Sequence, residues 1–361
     1  MAEAVNALQT RHSRFGLFAP FVLLGLVAVA WSVAWFVIRQ RTAEGLDAWL
    51  VNEAAAGRQW TCADRSVGGY PFRIEVSCST LSLRCGEAAA SVGHLLAVAQ
   101  VYRPRHVIAE VGGPLRASDG AGAAVEADWR LLQASVQSAP EAFQRASVVV
   151  EEPKVRLTGL TPAELDSRAG RLEAHVRPDP ARFRTEGAYD VALSAGVMTI
   201  PALNSFVGGD EPADLSLDTT VTQARGMTGR NVIDDVERWR EAGGAIAVER
   251  WTLAKGTRRL EAKGLLRLDD LHRPAGQLDL AAAGLQDLIG ALLGGGRTGG
   301  IGAVLGALTG QTAPARPNAQ QPPGAPAVQP QLSPLPPLRL DSGRIYFGPF
   351  AIPGVRLTPL Y

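Results

Sequence analysis

The chain has few of the residue types that would point to a particular chemistry. Only three of its 361 residues are cysteines, which excludes a small domain held together by a network of disulfides. Its 36 Lys and Arg residues are balanced by 35 Asp and Glu, so the formal net charge is +1 and a nucleic-acid partner is not expected. The five histidines lie far apart, and no HExxH or paired CxxC spacing indicates a metal site.

Catalytic and cofactor-binding motifs are equally scarce. No GxxxxGK[ST] sequence is present. Residues 294–299 match the GxGxxG pattern but follow an apolar, helix-like run where a dinucleotide site requires a strand. Residues 192–196, ALSAG, differ by one residue from a GxSxG nucleophile elbow, yet they lie in a run predicted to be a strand. We therefore expect no enzymatic activity, no cofactor and no metal ion.

A long apolar run dominates the N-terminal part of the chain. Residues 15–38 contain no charge, and as a helix they would be about 36 Å long, enough to cross a hydrocarbon core of about 30 Å. They predict a transmembrane helix preceded by a short tail over residues 1–14. A signal peptide cleaved after Ala30 is the alternative, but the apolar run continues well past that residue. Residues 39–57 keep apolar side chains at helical spacing and predict a stalk.

The charges that flank this run do not orient it. Arg11 and Arg14 precede the run and Arg39 and Arg41 follow it, so the positive-inside rule gives a tie. We place residues 1–14 in the cytoplasm because the cysteines of the following domain suggest an oxidising compartment.

Residues 60–83 predict a β-hairpin with a compact turn. The glycines of this turn permit positive φ and its proline fixes φ; the predicted turn residues are Gly68, Gly69, Tyr70, Pro71 and Phe72. After the turn, apolar and polar residues alternate as in a half-buried strand, and the alternation changes parity at Leu81. This change predicts a bulge or bend near Ser79.

The same hairpin suggests a disulfide. If its turn is centred on Tyr70, Cys62 and Cys78 lie opposite each other at a distance that a modest adjustment would close. Two alternatives remain, namely Cys85 as the partner in place of Cys78, or three reduced cysteines acting as small apolar residues.

The rest of the chain predicts a β-rich domain over residues 58–310. Alternating runs between turn-forming residues predict strands at 97–102, 106–111, 124–136, 147–150, 189–200, 215–221, 245–254, 258–268 and 277–280. Capping and stop signals predict short helices at 161–165, 231–241 and 284–293. The predicted fold class is mainly β with α+β character: a transmembrane helix, then a large, twisted, mostly antiparallel sheet with a few short helices.

A compositional break precedes the C-terminus. Residues 311–337 are rich in Pro, Gln and Ala and predict a disordered linker. Residues 338–361 contain two further predicted strands, 339–346 and 350–357, whose apolar faces need a sheet to pack on. We therefore expect the chain to return to the sheet after the linker.

The sequence GYPFRIEVSC, which ends at Cys78, the N-terminal anchor and the closing segment GRIYFGPFAIPGVRLTPL together resemble a family of uncharacterised proteobacterial envelope proteins, domain of unknown function 2125. The likeness covers most of the chain beyond the anchor. More distantly, the same features are similar to AsmA-like proteins of the bacterial envelope. That resemblance implies a long curved sheet, apolar on its concave side, associated with lipid handling or outer-membrane homeostasis. Together with the anchor and the cysteines, it leads us to expect a single-pass protein of the bacterial inner membrane whose bulk lies in the periplasm. It provides no catalytic residue.

Two functions fit these features. In the first, the protein holds or passes lipid or another hydrophobic molecule on an apolar sheet face and contributes to envelope homeostasis. In the second, it is an envelope scaffold or assembly factor that binds other proteins through a sheet edge or the proline-rich segment.

Overall fold

The computed structural model describes residues 15–139, 142–159, 164–201, 204, 209–227, 229, 231–284 and 332–361. Within them, the N-terminal helix α1, Phe15–Ala55, is continuous and contains both the predicted membrane segment and nearly all of the predicted stalk. It is the one helix of the described residues that is long and apolar enough to cross a membrane. Its apolar side chains between Phe18 and Val33 are largely exposed, so this part of α1 does not belong to a protein core.

Strands make up most of the remaining described chain. They are β1 Gln59–Ala63, β2 Ser66–Gly68, β3 Arg73–Cys78, β4 Thr80–Cys85, β5 Ala88–Val92, β6 Leu95–Gln100, β7 Arg103–Val111, β8 Leu115–Ser118, β9 Ala124–Asp128, β10 Leu131–Ser138, β11 Phe143–Glu151, β12 Lys154–Thr158, β13 Leu165–Arg168, β14 Arg171–Pro178, β15 Tyr189–Met198, β16 Ala213–Val221, β17 Ile246–Lys255, β18 Arg258–Leu268, β19 Pro274–Ala283, β20 Ser333–Asp341, β21 Arg344–Phe347 and β22 Phe350–Arg356. The fold is therefore mainly β, as the alternation predicts.

These strands form two antiparallel sheets. The smaller sheet has seven strands in the order β1-β4-β5-β8-β9-β12-β13. The larger has fifteen, in the order β2-β3-β6-β7-β10-β11-β14-β15-β16-β17-β18-β19-β20-β21-β22. The first fourteen strands are thus seven long strands, each bent once, with one part in each sheet. From β15 onward the chain adds strands only to the larger sheet.

Five of the seven bends contain a glycine, a proline or a residue with positive φ, each of which interrupts a strand. They lie at residues 64–65, 79, 93–94, 112–114, 129–130, 152–153 and 169–170. Asp64 and Glu152 adopt positive φ, and the backbone N–H of Gly93 donates to the carbonyl of Gly112 at 3.0 Å. The bend predicted near Ser79 is present. The single strand predicted over residues 124–136 is wrong, because a bend at Trp129 divides it between the two sheets.

The first hairpin has a different register from the predicted one. Ser66 pairs with Ser77 and Gly68 with Glu75, which centres the turn between Pro71 and Phe72 and not on Tyr70. The residue opposite Cys62 is Leu81, so the prediction that Cys62 and Cys78 lie directly opposite each other is wrong.

Cys62 and Cys78 nevertheless form a disulfide, with their Cα atoms 5.2 Å apart. Cys62 belongs to the smaller sheet and Cys78 to the larger, so the bond joins the two sheets beside the bend at Ser79. Cys85 is exposed and free.

The C-terminal part differs from prediction in two ways. β20 begins at Ser333, so the predicted linker ends earlier than residue 337. Prolines lack a backbone N–H donor and are therefore disfavoured in strands. Pro336 and Pro337 are nevertheless accommodated in β20, because they lie at the register shift of the β19–β20 pairing, where they need no direct partner. A turn at Ser342 and Gly343 also divides the predicted strand 339–346, giving three terminal strands. β19 and β20 pair directly, so residues on the two sides of 285–331 meet in the sheet.

The described helices beyond α1 are short. They are α2, Phe183–Glu186, and α3, Val232–Glu241, with a 3₁₀ turn at Ala224–Gly226. α3 begins as predicted, with the Asn231 side chain accepting from the N–H of Ile233 at 3.1 Å. The predicted helices at 161–165 and 284–293, and linker residues 311–331, fall largely outside the described residues, although Leu165 starts β13.

Candidate functional site

One face of the larger sheet is apolar from strand to strand. Directly opposite residues of antiparallel strands project from the same face. A central row of such partners contains only apolar residues: Val67, Val76, Ala97, Ala109, Ala134, Val148, Ala174, Leu193, Leu217, Trp251, Ala262, Leu280 and Leu335. We call the surface built on this row the apolar face.

Two flanking rows widen the apolar face. One contains Cys78, Leu95, Val111, Leu132, Val150, Leu172, Ala195, Leu215, Leu253, Leu260 and Ala282. The other runs from Ile74 to Phe347 and is interrupted only by Thr219 and Gly264. The thirteen strands of the central row, at about 4.8 Å spacing, make this surface about 60 Å long.

The opposite face of the same sheet is mostly polar. Its row between the apolar positions includes Ser77, Glu110, Gln133, Glu173, Ser194, Ser216, Thr252 and Glu261. Neighbouring groups on this face bond to each other: Ser216 and Thr252 are joined at 2.6 Å, and His175 and Ser147 at 3.0 Å. The Arg171 guanidinium and the His175 side chain lower the pKa of Glu173.

The apolar face is only partly covered by the described residues. Val148 and Leu193 in its central row keep 37% and 38% of their surface exposed, and Val107 and Val136 in a flanking row are also exposed. No large side chain of the described residues is fully buried. Aliphatic side chains at this degree of exposure favour contact with another apolar surface.

The apolar face begins where α1 passes the edge of the sheet. The Arg39 guanidinium donates through Nε to the carbonyl oxygen of Val67, the first residue of the central row, at 2.8 Å. Arg39 directly follows the apolar run that ends at Ile38. The first residues of the apolar face are therefore positioned at the end of the candidate membrane span.

The predicted turn residues contact α1. The Trp31 indole donates to the carbonyl of Pro71 at 2.9 Å, and the Trp35 indole donates to the carbonyl of Arg73 at the same distance. The Tyr70 hydroxyl is 2.8 Å from the Ser32 hydroxyl. Tyr70 also lies edge-on to the Trp35 ring, whose residue is only 3% exposed. Trp31 and Trp35 thus hold the turn against α1.

Further along α1, a second set of contacts fixes the helix to the sheet edges. Arg58 pairs with Glu53 at 2.6 Å, and this guanidinium holds the pKa of Glu53 below its usual range. Trp49 and Trp60 rings lie 5.8 Å apart. Because β1 and β2 are the first strands of the two sheets, α1 covers an edge of each one.

The depressions formed by described residues lie elsewhere. One of them, about 710 Å³, lies on the polar face of the smaller sheet and contains an Arg116–Glu126 ion pair at 3.2 Å. Mixed charges paired within the protein do not define an anion or cation site. No group of three or more His, Cys, Asp or Glu side chains among the described residues is placed to hold a metal ion.

Sequence reasoning found the turn and predicted an apolar sheet face, but it did not identify the residues that line that face. Gly68 ends β2, and Gly69, Tyr70, Pro71 and Phe72 form the turn, with a cis peptide bond between Tyr70 and Pro71. The residues of the apolar face were not identified because alternation distinguishes a strand's two faces but does not give the register that aligns neighbouring strands.

The helix and sheet define a class of protein, in which one N-terminal candidate membrane span is attached to a large antiparallel sheet with a continuous apolar face. The chain belongs to the family described as uncharacterised protein conserved in bacteria, DUF2125, whose model matches residues 35–355. Comparison with curated proteins and comparison with solved structures give no match.

Proposed function

We propose that this protein is anchored in the bacterial inner membrane by α1 and that its sheets lie in the periplasm, where the apolar face holds or passes lipid or another hydrophobic molecule. In this proposal the protein contributes to envelope homeostasis without catalysing a reaction. The single observation that carries it is the apolar face, which starts at Arg39 and extends over the larger sheet.

The chemistry of the apolar face favours acyl chains as its ligand. Burial of a methylene group contributes about 0.8 kcal/mol, and the face presents aliphatic side chains along its length. A long, narrow surface suits a chain-like molecule better than a compact one. The polar opposite face gives no comparable contact, so binding is expected on one side of the sheet only.

Adjacent residues that point to opposite faces allow a matched test. Leu193 lies on the apolar face and Ser194 on the polar face, and both are exposed. A photo-crosslinking amino acid is placed at each position in the full chain, cells are irradiated, and adducts are identified by mass spectrometry. We expect phospholipid adducts at residue 193 and none at 194. The pair Val148 and Ser147 provides an independent repeat in β11.

Equal lipid labelling at residues 193 and 194, or no labelling at residues 193 and 148, would contradict the proposal. Equal labelling would indicate that both faces meet membrane lipids at random and that neither face binds a lipid. Absence at both apolar positions would show that no lipid occupies the face. Crosslinks at these positions to a protein would point to the alternative function.

The compartment has its own test. The Cys62–Cys78 disulfide supports an oxidising periplasm. Thiol labelling of the full chain in cells lysed under acid quench should modify Cys85 alone, and reduction should expose three thiols. Three reactive thiols before reduction, with reporter fusions beyond Trp60 facing the cytoplasm, would exclude the proposed location.

The alternative function, a scaffold for other envelope proteins, is favoured by the far edge of the larger sheet. β22 is the last strand in the sheet order, and its Phe350, Ile352 and Val355 side chains are exposed. An exposed edge strand can pair with a strand of another protein. Crosslinkers at Ile352 should then capture a defined protein, and Ile352→Lys should abolish that capture; lipid alone at Ile352 would count against it.

A further inference from the structure

The turn between β2 and β3 contacts a part of α1 that a membrane span must use. As a helix, residues 15–30 are about 24 Å long, which is shorter than a hydrocarbon core of about 30 Å. Residues beyond Ala30 therefore have to lie within the bilayer or at its boundary if α1 crosses it. Trp31 and Trp35 belong to this part, and they are the residues that bond to the turn.

The turn meets a physical requirement for that depth. Non-helical backbone near hydrocarbon needs partners for its polar groups, because no water is available to replace them. The carbonyl oxygens of Pro71 and Arg73 accept hydrogen bonds from the Trp31 and Trp35 indoles at 2.9 Å. The N–H of Arg73 donates to the carbonyl of Gly69 at 3.1 Å, which closes the turn on itself.

The outer surface of this region is aromatic. Tyr70 and Phe72 keep 56% and 61% of their surface exposed although they contact α1. The neighbouring β6–β7 turn adds Tyr102, which is 62% exposed, and its Val101 N–H donates to the carbonyl of Phe72 at 3.0 Å. This hydrogen bond joins the two turns into one tip.

Arginines follow the aromatic side chains along both strands. Arg73 follows the first turn, and Arg103 and Arg105 begin β7 directly after Tyr102. Arg103 and Arg105 are exposed; the Arg73 side chain is mostly exposed and pairs with Glu75 at 2.8 Å. Aromatic rings next to basic residues are typical of segments that lie at the lipid–water interface.

We propose that the tips of the β2–β3 and β6–β7 hairpins enter the interface of the membrane leaflet from which α1 emerges, with Tyr70, Phe72 and Tyr102 among the lipid headgroups. This inference rests on the proposed membrane anchoring of α1 but not on lipid transport by the apolar face. Its consequence is that the first strands of the apolar face are held against the bilayer and cannot rotate away from it.

Fluorescence quenching by lipid-bound spin labels tests the depth of the tip. The full chain with Cys85→Ser is reconstituted in phosphatidylglycerol/phosphatidylethanolamine vesicles and labelled with an environment-sensitive dye at Tyr102→Cys or at Phe72→Cys. Spin labels at the headgroup, near the glycerol or near the acyl end serve as quenchers. We expect both dyes to lose most of their fluorescence to the two shallow quenchers and little to the deep one.

Two control positions separate the possible failures. Leu271 is 58% exposed in the β18–β19 turn at the same end of the strands, about 40 Å away along the sheet, and Leu271→Cys should not be quenched. Val27→Cys in α1 should be quenched most by the deep label.

If the dye at Val27 is quenched while those at Tyr102 and Phe72 behave like the one at Leu271, the tip proposal is overturned. An unquenched dye at Val27 would instead overturn the membrane anchoring. Phe72 contacts Trp31, so the Phe72→Cys variant could lose its fold; in that case the result at Tyr102→Cys decides the test.

Discussion

The disulfide between Cys62 and Cys78 acts at the point where the two sheets separate. Cys62 is in β1 of the smaller sheet and Cys78 ends β3 of the larger one. Next to them, the Ser79 N–H donates to the carbonyl of Ala63 at 2.9 Å, so a backbone hydrogen bond lies beside the covalent link. The bond therefore fixes the position of the smaller sheet relative to the larger one at the edge near α1.

Removal of this bond should lower stability without changing the fold. The two cysteines are 16 residues apart, and closing a loop of this size is worth about 3 kcal/mol through the unfolded state. We expect Cys62→Ser with Cys78→Ser to lower the free energy of unfolding by about this amount, measured by denaturant titration of the full chain in nanodiscs. Cys85→Ser is the control and should change little, since Cys85 is exposed. A double variant as stable as the control would show that the sheets are fixed by other contacts.

A second residue-scale feature holds the C-terminus. The Tyr361 hydroxyl donates to Glu237 at 2.7 Å, and Arg240 pairs with the same carboxylate at 2.6 Å. His272 stacks on the Tyr361 ring at 4.6 Å and lies 3.3 Å from Glu237. The Arg240 guanidinium and the Tyr361 hydroxyl lower the pKa of Glu237 to about 2. These contacts join α3, the β18–β19 turn and the chain end.

The direction of this pKa shift predicts a pH dependence. A carboxylate whose pKa falls on folding stabilises the folded state above its ordinary pKa of about 4.5, and this contribution is lost as the pH decreases towards 2. Protection of the Leu360 backbone N–H, which donates to the carbonyl of His272 at 3.0 Å, against hydrogen exchange should therefore decrease over this range. Glu237→Gln should lower this protection already at neutral pH and show a weaker pH dependence, whereas Glu241→Gln on the same helix should behave like the natural chain. Equal protection in all three proteins would show that the cluster does not hold these residues.

At the scale of elements, the bends depend on close backbone approach. A Cβ atom built on Gly93 would lie 2.5 Å from the carbonyl oxygen of Gly113 and 3.0 Å from that of Gly112. Both of these atoms belong to the backbone and not to a flexible side chain, so a side chain at residue 93 would force the backbone to shift. The β5–β6 and β7–β8 bends can therefore lie side by side only if residue 93 is glycine.

Substitution at this bend should be costly. We expect Gly93→Ala to destabilise the protein by about 1–3 kcal/mol, the usual effect of overpacking. Gly45→Ala in α1, where no atom lies within 4 Å of the added Cβ, should be neutral or stabilising. The midpoints of thermal unfolding of both variants give the comparison. A Gly93→Ala midpoint equal to that of the natural chain would mean that the bend relaxes easily.

The elements that sequence reasoning found are those with strong local signals. Asn231 and the apolar spacing up to Trp239 identify α3, and alternation identifies most strands. The bend at Trp129 was missed because a tertiary contact accompanies it and no local signal marks it. The Trp129 indole donates to the carbonyl of Val111, in a neighbouring long strand, at 2.7 Å. The hairpin register was wrong for a related reason, since the turn tightens around Pro71 and its contacts with α1 are 40 residues away in sequence.

On the scale of the whole molecule, the apolar face depends on thirteen strands keeping one register. The sequence of each strand shows which residues alternate between the two faces. Only the pairing between strands shows that Val67 near α1 and Leu335 in β20 belong to one row. Register shifts occur, for instance between Ala195 and Met198, yet the central row continues through Leu193 and Leu217. The residues that line such a surface cannot be inferred from one sequence, because a shift by one residue would move its apolar side chains to the other face.

Continuity of the face predicts how a barrier in its middle would act. Leu193 and Leu217 are cross-strand partners on the apolar face, and Ser194 and Ser216 are the adjacent partners on the polar face. Aspartates at Leu193 and Leu217 place charge across the path, whereas aspartates at Ser194 and Ser216 place the same charge on the polar side. Both pairs introduce like charges directly opposite each other, so the cost of charge repulsion to the sheet is comparable.

If lipid enters beside α1 and moves along the face, the two double variants should differ only beyond the barrier. With Leu193→Asp and Leu217→Asp, photo-crosslinkers should still capture lipid at Val107 and Val136, between α1 and the barrier, but should lose it at Leu278 and Leu338. With Ser194→Asp and Ser216→Asp, capture should persist at all four positions. Unchanged capture at Leu278 and Leu338 behind the apolar-face barrier would mean that lipid reaches them independently, so the face would hold lipid without passing it along. Loss at all four positions in both variants would indicate unfolding, which circular dichroism of the same samples detects.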